Sequence, residues 1–262
     1  RLIVLSQVSF QQQKVFFSSR KSQNHANIRE LSFLFPKDRF LKSKRFELTT
    51  HEKMFLFWPS LILAVYVVCS GVLPLKIHWF WKLLSAAVIF LISMKYMAYT
   101  MNGGTFFEPA VKGAWMLTWE ALYGALILAA FLLLLKDICS LGLWLLGTFG
   151  VKTGFSFNRL VFIVPFFIVS VAGGFWGMYE GIKVPEVKTE TIVFKNLPAQ
   201  WKGTTIALLS DLHVGPVQRK EWLSEIVKRT NDLNPDIVMV TGDFIDGRVQ
   251  KLLPELEPLK HL

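Results

Sequence analysis

Thr205–Gly247 reads TIALLSDLHVGPVQRKEWLSEIVKRTNDLNPDIVMVTGDFIDG, and its alternation of apolar runs and turn residues decides the fold. Ile206–Leu209 is a short apolar run, the form a strand takes when it is buried on both faces of a sheet. It ends in Ser210, Asp211, Leu212 and His213, and Gly215-Pro216 then stops it and turns the chain. From Arg219 to Leu233 the apolar residues Trp222, Leu223, Ile226, Val227 and Leu233 fall near a 3.6-residue period with charges between them, which predicts an amphipathic helix. Asn234-Pro235-Asp236 breaks that helix. Ile237–Val240 is a second apolar run and ends in Thr241, Gly242 and Asp243, with Asp246 close behind.

Strand, helix, strand predicts a parallel pair joined by a right-handed crossover. Parallel strands finish at the same edge of a sheet, so Asp211, His213 and Asp243 are expected to converge there, at the edge where open α/β sheets hold ligands. Two carboxylates and an imidazole at one point suit a divalent cation such as Mn, Fe or Zn. Gly215 and Gly242 allow backbone to approach such a site closely. An aspartate at a strand end is also an ordinary turn residue. What raises the metal reading above that is the pairing of Asp-x-His with Gly-Asp, each closing a buried strand, one crossover apart.

Ser210-Asp-Leu-His213, followed by Thr241-Gly-Asp-Phe-Ile-Asp-Gly247, resembles the first two motifs of the calcineurin-like metallophosphoesterases. More narrowly it is similar to their membrane-attached bacterial branch, as is the approach through Phe194–Pro198 and Trp201–Gly203. The resemblance implies two divalent ions (Mn, Fe or Zn), with Asp211 and His213 on one and Asp243 bridging both. Asp246 and Gly242 are expected just behind these ligands. The family's later motifs, a Gly-Asn-His-(Asp/Glu), a separate His and a Gly-His-x-His, do not occur in this chain, and His261 fits none of them. The chain is therefore expected to be an N-terminal fragment that offers at most one partial metal site and is inactive as it stands.

Across the whole chain, 52% hydrophobic residues, only 18% charged ones and a mean hydropathy of +0.41 point to a membrane protein. The net charge of +10 is unevenly placed. Residues 1–53 hold 11 Lys/Arg against 4 Asp/Glu, residues 54–180 hold 7 against 4, and residues 181–262 hold 11 against 11. A neutral C-terminal part gives no reason to expect a nucleic-acid partner. Cys69 and Cys139 lie in or beside apolar segments and suggest neither a disulfide nor a metal framework.

Residues 1–53 are polar and basic without a sustained period, and the first Met is Met54. They read as a disordered arm or as a non-native tail upstream of the true start. Met54–Leu73, Leu83–Tyr99, Trp115–Leu135 and Leu160–Tyr179 are each long and apolar enough to cross a bilayer. Trp58, Trp79, Trp81, Trp115, Trp119, Trp176 and Tyr179 cluster at their ends as interfacial anchors do. Glu120 is expected at the interface, Pro165 should kink the fourth segment, and Ile138–Gly150 either prolongs the third or lies on the membrane surface. Gly173, Gly177 and Gly181 allow either close helix contact or loose packing at a helix end.

The expected architecture is thus an α-helical membrane domain of four transmembrane helices (54–180) followed by the N-terminal part of an α/β metallophosphoesterase sandwich (181–262). An edge strand is expected at Thr191–Lys195 and the start of a further crossover helix at Leu252–Leu259. Loops one and three hold Lys76, Lys82, Lys136, Lys152 and Arg159, and loop two holds Lys112 with Lys95 near its edge. The positive-inside rule, applied from Met54, then sets the phosphoesterase part outside the cytoplasm of a multi-pass inner-membrane protein, and counting the basic tail reverses this. The expected partners are the lipid bilayer and a phosphoester or pyrophosphate, with lipid-linked substrates among the candidates. The competing reading is a non-catalytic membrane scaffold carrying a remnant phosphoesterase tail.

Overall fold

The computed structural model describes the backbone of Leu2–Ser6 and Phe16–Ser19, and residues 57–102, 104, 109, 113–150, 157 and 160–262. They fall into two units, one of Thr49–Ile182 and one joining Arg1–Leu48 to Lys183–Leu262.

The first unit is helical. Helix α1 (Phe57–Val67) runs into a π-helical turn (Val68–Val72), followed by α2 (Trp79–Ser93), α3 (Lys95–Met101), α4 (Ala114–Thr148) and α5 (Leu160–Ile182). Ala64, Val67, Val68, Leu126, Ala130, Leu133 and Ile163 form its dry core. Two helices, α4 and α5, are long and apolar enough to span a bilayer. The pair α2–α3, bent by 50° at its break, makes a third when counted as one span, and Phe57–Val72 is shorter than 18 residues. The chain is therefore a membrane protein with two or three such spans among its described residues.

Several local expectations change. Ile138–Thr148 continues α4 as unbroken helix, because nothing between Leu135 and Thr148 breaks it. Lys136 is inside that helix rather than in a loop, buried, and donates to the Ser70 carbonyl at 2.8 Å. Trp58, Trp79, Trp81, Trp115 and Trp176 are exposed, but Trp119 turns inward and donates from Nε1 to the Ile92 carbonyl at 3.1 Å. Close helix contact occurs at Gly173 and Gly174, not at Gly177 or Gly181. A Cβ on Gly174 would overlap the Ala121 carbonyl and lie 2.8 Å from Ala125 N, so the small residues that matter are Gly174 and the α4 stretch Ala121–Ala125. Glu120 does not stand alone: its carboxylate takes Lys95 Nζ and the Tyr99 hydroxyl, each at 2.8 Å.

The second unit is a five-stranded mixed sheet with a helix packed on it. Its strands are β1 (Leu2–Ser6), β2 (Phe16–Ser19), β3 (Lys188–Glu190), β4 (Ile206–Ser210) and β5 (Ile237–Val240), in the order β2-β5-β4-β1-β3. β4 and β5 are parallel, in register from Ile206 opposite Ile237 to Leu209 opposite Val240. Between them lies α6 (Lys220–Asp232), whose Leu223, Ile226 and Val227 are buried, the first two in one cluster with Leu209, Leu212 and Val214. The sheet-facing stripe foreseen for Arg219–Leu233 is the one that packs. Asn234 ends the helix region at φ 45°, a left-handed position that Asn tolerates, with Pro235 behind it.

Three expectations for this unit give way. The tail is not wholly irregular: Leu2–Ser6 pairs in parallel with β4, and Phe16–Ser19 pairs antiparallel with β5. Leu2-Ile-Val-Leu5 is itself an apolar, partly β-branched run, the signal that a tail-wide view of charge hides. The edge strand is Lys188–Glu190, paired with β1, and not Thr191–Lys195. Leu252–Leu259 is no continuous helix. A single turn, α7 (Val249–Leu252), is followed by a 3₁₀ segment (Glu257–His261) that Pro258 begins, as expected where two prolines remove amide donors.

Candidate metal centre

The carboxyl ends of β4 and β5 do not simply stop; their loops zip together. Thr241 N donates to the Leu209 carbonyl at 3.0 Å and Asp211 N to that of Gly242 at 3.3 Å. His213 N donates to the Asp243 carbonyl at 3.1 Å, Val214 N to that of Phe244 at 2.8 Å, and Asp246 N to that of Val214 at 3.0 Å. Leu212 and Val214 anchor one loop in the core, leaving Asp211 and His213 half-buried on the open side. Gly215 permits the contact, since a Cβ there would lie 3.0 Å from both Cβ and O of Asp246. Gly242 serves conformation instead: its φ is 117°, with open space where a side chain would be.

Asp211, His213 and Asp243 all have left-handed backbone, with φ of 54°, 44° and 49°. Such angles are uncommon outside glycine and gather at functional sites, where the surrounding structure holds them. Here the interlocked loops do the holding. Together the three residues offer one ligand atom each, all within 4.8 Å of one another, and no other such group occurs among the described residues.

Neighbouring groups set the orientation of these side chains. His213 Nδ1 donates to Asp246 Oδ1 at 3.0 Å, which leaves Nε2 toward Asp243, 3.4 Å from its Oδ2. Ser210 Oγ donates to Asp211 Oδ2 in a short hydrogen bond. Burial works to lower the pKa of His213, but the bond to Asp246 and the charges of Asp246, Asp243 and Asp211 outweigh it, so the imidazole sits above its ordinary value. Asp246, bonded to His213, and Gly242, next to Asp243, stand beside the triad. Ser210 is the residue that sequence reasoning passed over, and its position next to Asp211 was the available signal. His261 lies far along the chain at the exposed C-terminal 3₁₀ turn, 3.9 Å from Glu257.

The donor set fits a divalent ion. Two carboxylates and an imidazole suit Mn, Fe or Zn. Bonds of about 2.0–2.2 Å let two ligands of one ion stand about 4.4 Å apart at most. The triad is within a few tenths of an ångström of that limit.

Known proteins agree with this chemistry. A Danio rerio transmembrane protein with a metallophosphoesterase domain is 35% identical over 92 residues, 35% of this chain and 21% of the relative. An uncharacterized metallophosphoesterase of Helicobacter pylori is 35% identical over 97 residues, 37% of this chain and 25% of its own length. One from Aquifex aeolicus is 38% identical over 93 residues, 31% of this chain and 34% of its own. The chain thus spans about a fifth to a third of these relatives. No protein-family profile and no solved structure matches it. Over about a third of its length, the chain is thus similar to proteins named metallophosphoesterases.

Proposed function

We propose that this protein is part of a membrane-anchored phosphoesterase that uses two divalent ions to hydrolyse a phosphoester or pyrophosphate, with lipid-linked substrates among the candidates. The observation that carries this is the convergence of Asp211, His213 and Asp243 at the ends of two parallel strands. Ions bound there supply a Lewis-acid clamp on the attacking and leaving oxygens and lower the pKa of water. Asp211 and His213 would hold the first ion and Asp243 would be shared with the second, whose remaining ligands are not among these three. This 262-residue chain accordingly holds one partial site and binds an ion without measurable turnover. The scaffold reading gains nothing from a triad whose donors are so arranged.

The membrane unit acts as the anchor. In this reading it crosses the bilayer four times, with Phe57–Val72 as one span and α2–α3 as another, and the sheet described here is one layer of the phosphoesterase sandwich. Counted from Met54 without the buried Lys95 and Lys136, the loops hold Lys76, Lys82, Lys152 and Arg159 against Lys112, which favours a phosphoesterase unit outside the cytoplasm, whereas counting the 11 Lys/Arg of residues 1–53 reverses that bias.

Calorimetric titration of the purified chain with Mn tests the site. One ion is expected to bind, and Asp243→Asn to abolish most of the affinity. No binding, or binding untouched by that substitution, sinks the proposal.

A further inference from the structure

Helices α2 and α3 are one apolar stretch broken at Met94, with the two parts bent by 50°. A break within a membrane helix leaves backbone carbonyls that lipid cannot satisfy, so donors must come from neighbouring protein. Two consecutive residues of α4 meet the break, Trp119 as a donor to a carbonyl and Glu120 as an acceptor from side chains. Trp119 Nε1 donates to the Ile92 carbonyl at 3.1 Å, on the α2 side of the break. Glu120 takes Lys95 Nζ and the Tyr99 hydroxyl, each at 2.8 Å, on the α3 side.

The surroundings of Lys95 are as specific as its partner. Its side chain is 3% exposed, and the ammonium lies 4.2 Å from the ring centre of Tyr123 and 4.4 Å from that of Tyr96. Tyr123 in turn shares a 2.6 Å hydrogen bond with Ser60 of α1, so three segments of the unit meet at one ammonium. Tyr99 packs edge-on against Trp119, with ring centres 6.3 Å apart. An apolar side chain could fill this space with equal or greater stability, because a buried ion pair adds little over a hydrophobic replacement. What the pair adds is a fixed position, and it adds it only at the break.

We infer that the α2–α3 break is a hinge held shut by α4, with Trp119 fastening the end of α2 and Glu120 fastening the start of α3. The hinge is independent of the phosphoesterase reading. α4 also packs closely on α5 around Gly174, a contact with Ala121 and Ala125 that uses neither Trp119 nor Glu120.

Amide hydrogen exchange of the intact chain in lipid nanodiscs tests this, since exchange reports local opening segment by segment. Trp119→Phe removes one donor and keeps the ring. The double variant Lys95→Met with Glu120→Met removes the ion pair without stranding a charge. In each, exchange of residues 90–101 should rise by about tenfold, the effect of losing roughly one net hydrogen bond, while residues 160–182 change less than about twofold. Unchanged exchange in 90–101 overturns the hinge. So does a rise that spreads equally through α5, or a variant that no longer inserts, because either would make these contacts part of the general packing.

Discussion

At the ends of β4 and β5, three carboxylates (Asp211, Asp243 and Asp246) stand around one imidazole, and the Asp243 side chain is 56% exposed. In the membrane unit the arrangement is reversed. Lys95 is matched by Glu120 and Lys136 by Asp137, both at 2.8 Å, and each ammonium is almost wholly enclosed. Asp137 also accepts from Tyr66 and Ser70, at 2.8 and 2.6 Å. The first group carries surplus negative charge on an open edge and can be completed by a cation. The second group is complete without one. Charges that satisfy each other specify a fold; charges left in excess at a solvent-facing edge specify a ligand.

The largest effect expected from this contrast is in the membrane unit. Glu120→Ala leaves Lys95 buried without its carboxylate and should cost about 3–5 kcal/mol, as breaking a buried pair does. Replacing both Lys95 and Glu120 by Met should recover most of that loss. Thermal unfolding in detergent reads both; equal losses from the single and double changes would mean that the pair is no closed unit.

At the metal centre the corresponding loss is in affinity and not in fold. Asp243→Asn should weaken Mn binding by at least about 100-fold, more than the 10–100-fold typical of outer partners. Asp246→Ala removes the acceptor that fixes the His213 ring and should fall within that about 10–100-fold range, with Asp246→Asn milder because an oxygen remains. Without metal, neither change should alter the melting temperature as Glu120→Ala does. A melting loss comparable to that of Glu120→Ala would place these aspartates among the self-satisfied charges.

How much of this was legible in the sequence differs between the two regions for a physical reason. The β4–α6–β5 unit declares itself locally: apolar runs end in polar residues, and parallel pairing brings Asp211 and Asp243 together whatever else the chain does. The backbone angles that aim them, all left-handed, are set by the interlocking of two loops and leave no mark on composition. Glu120 and Lys95 each read as a lone charge in an apolar segment, because their pairing depends on a break at Met94 that no Pro or Gly announces. Trp119 looked like an interfacial anchor for the same reason. Leu2–Ser6 was hidden differently, as a short apolar run submerged in a tail whose overall charge dominated its reading.

The smallest effect is on pH, and its sign follows from His213. Its folded pKa is raised above the ordinary value because Asp246, Asp243 and Asp211 together outweigh burial. In metal-free protein the stabilisation from those carboxylates is therefore fully present below the unfolded pKa of about 6.5. It is lost as pH rises through the folded value. A bound ion needs the neutral imidazole, so over that same window Mn affinity should increase as the melting temperature of the metal-free chain declines. Asp246→Ala removes the hydrogen bond that is the largest of the raising influences and should shift both curves to lower pH together. If the affinity curve moved and the stability curve did not, the proton and the ion would not be competing for the same nitrogen, and His213 would lose its place among the ligands.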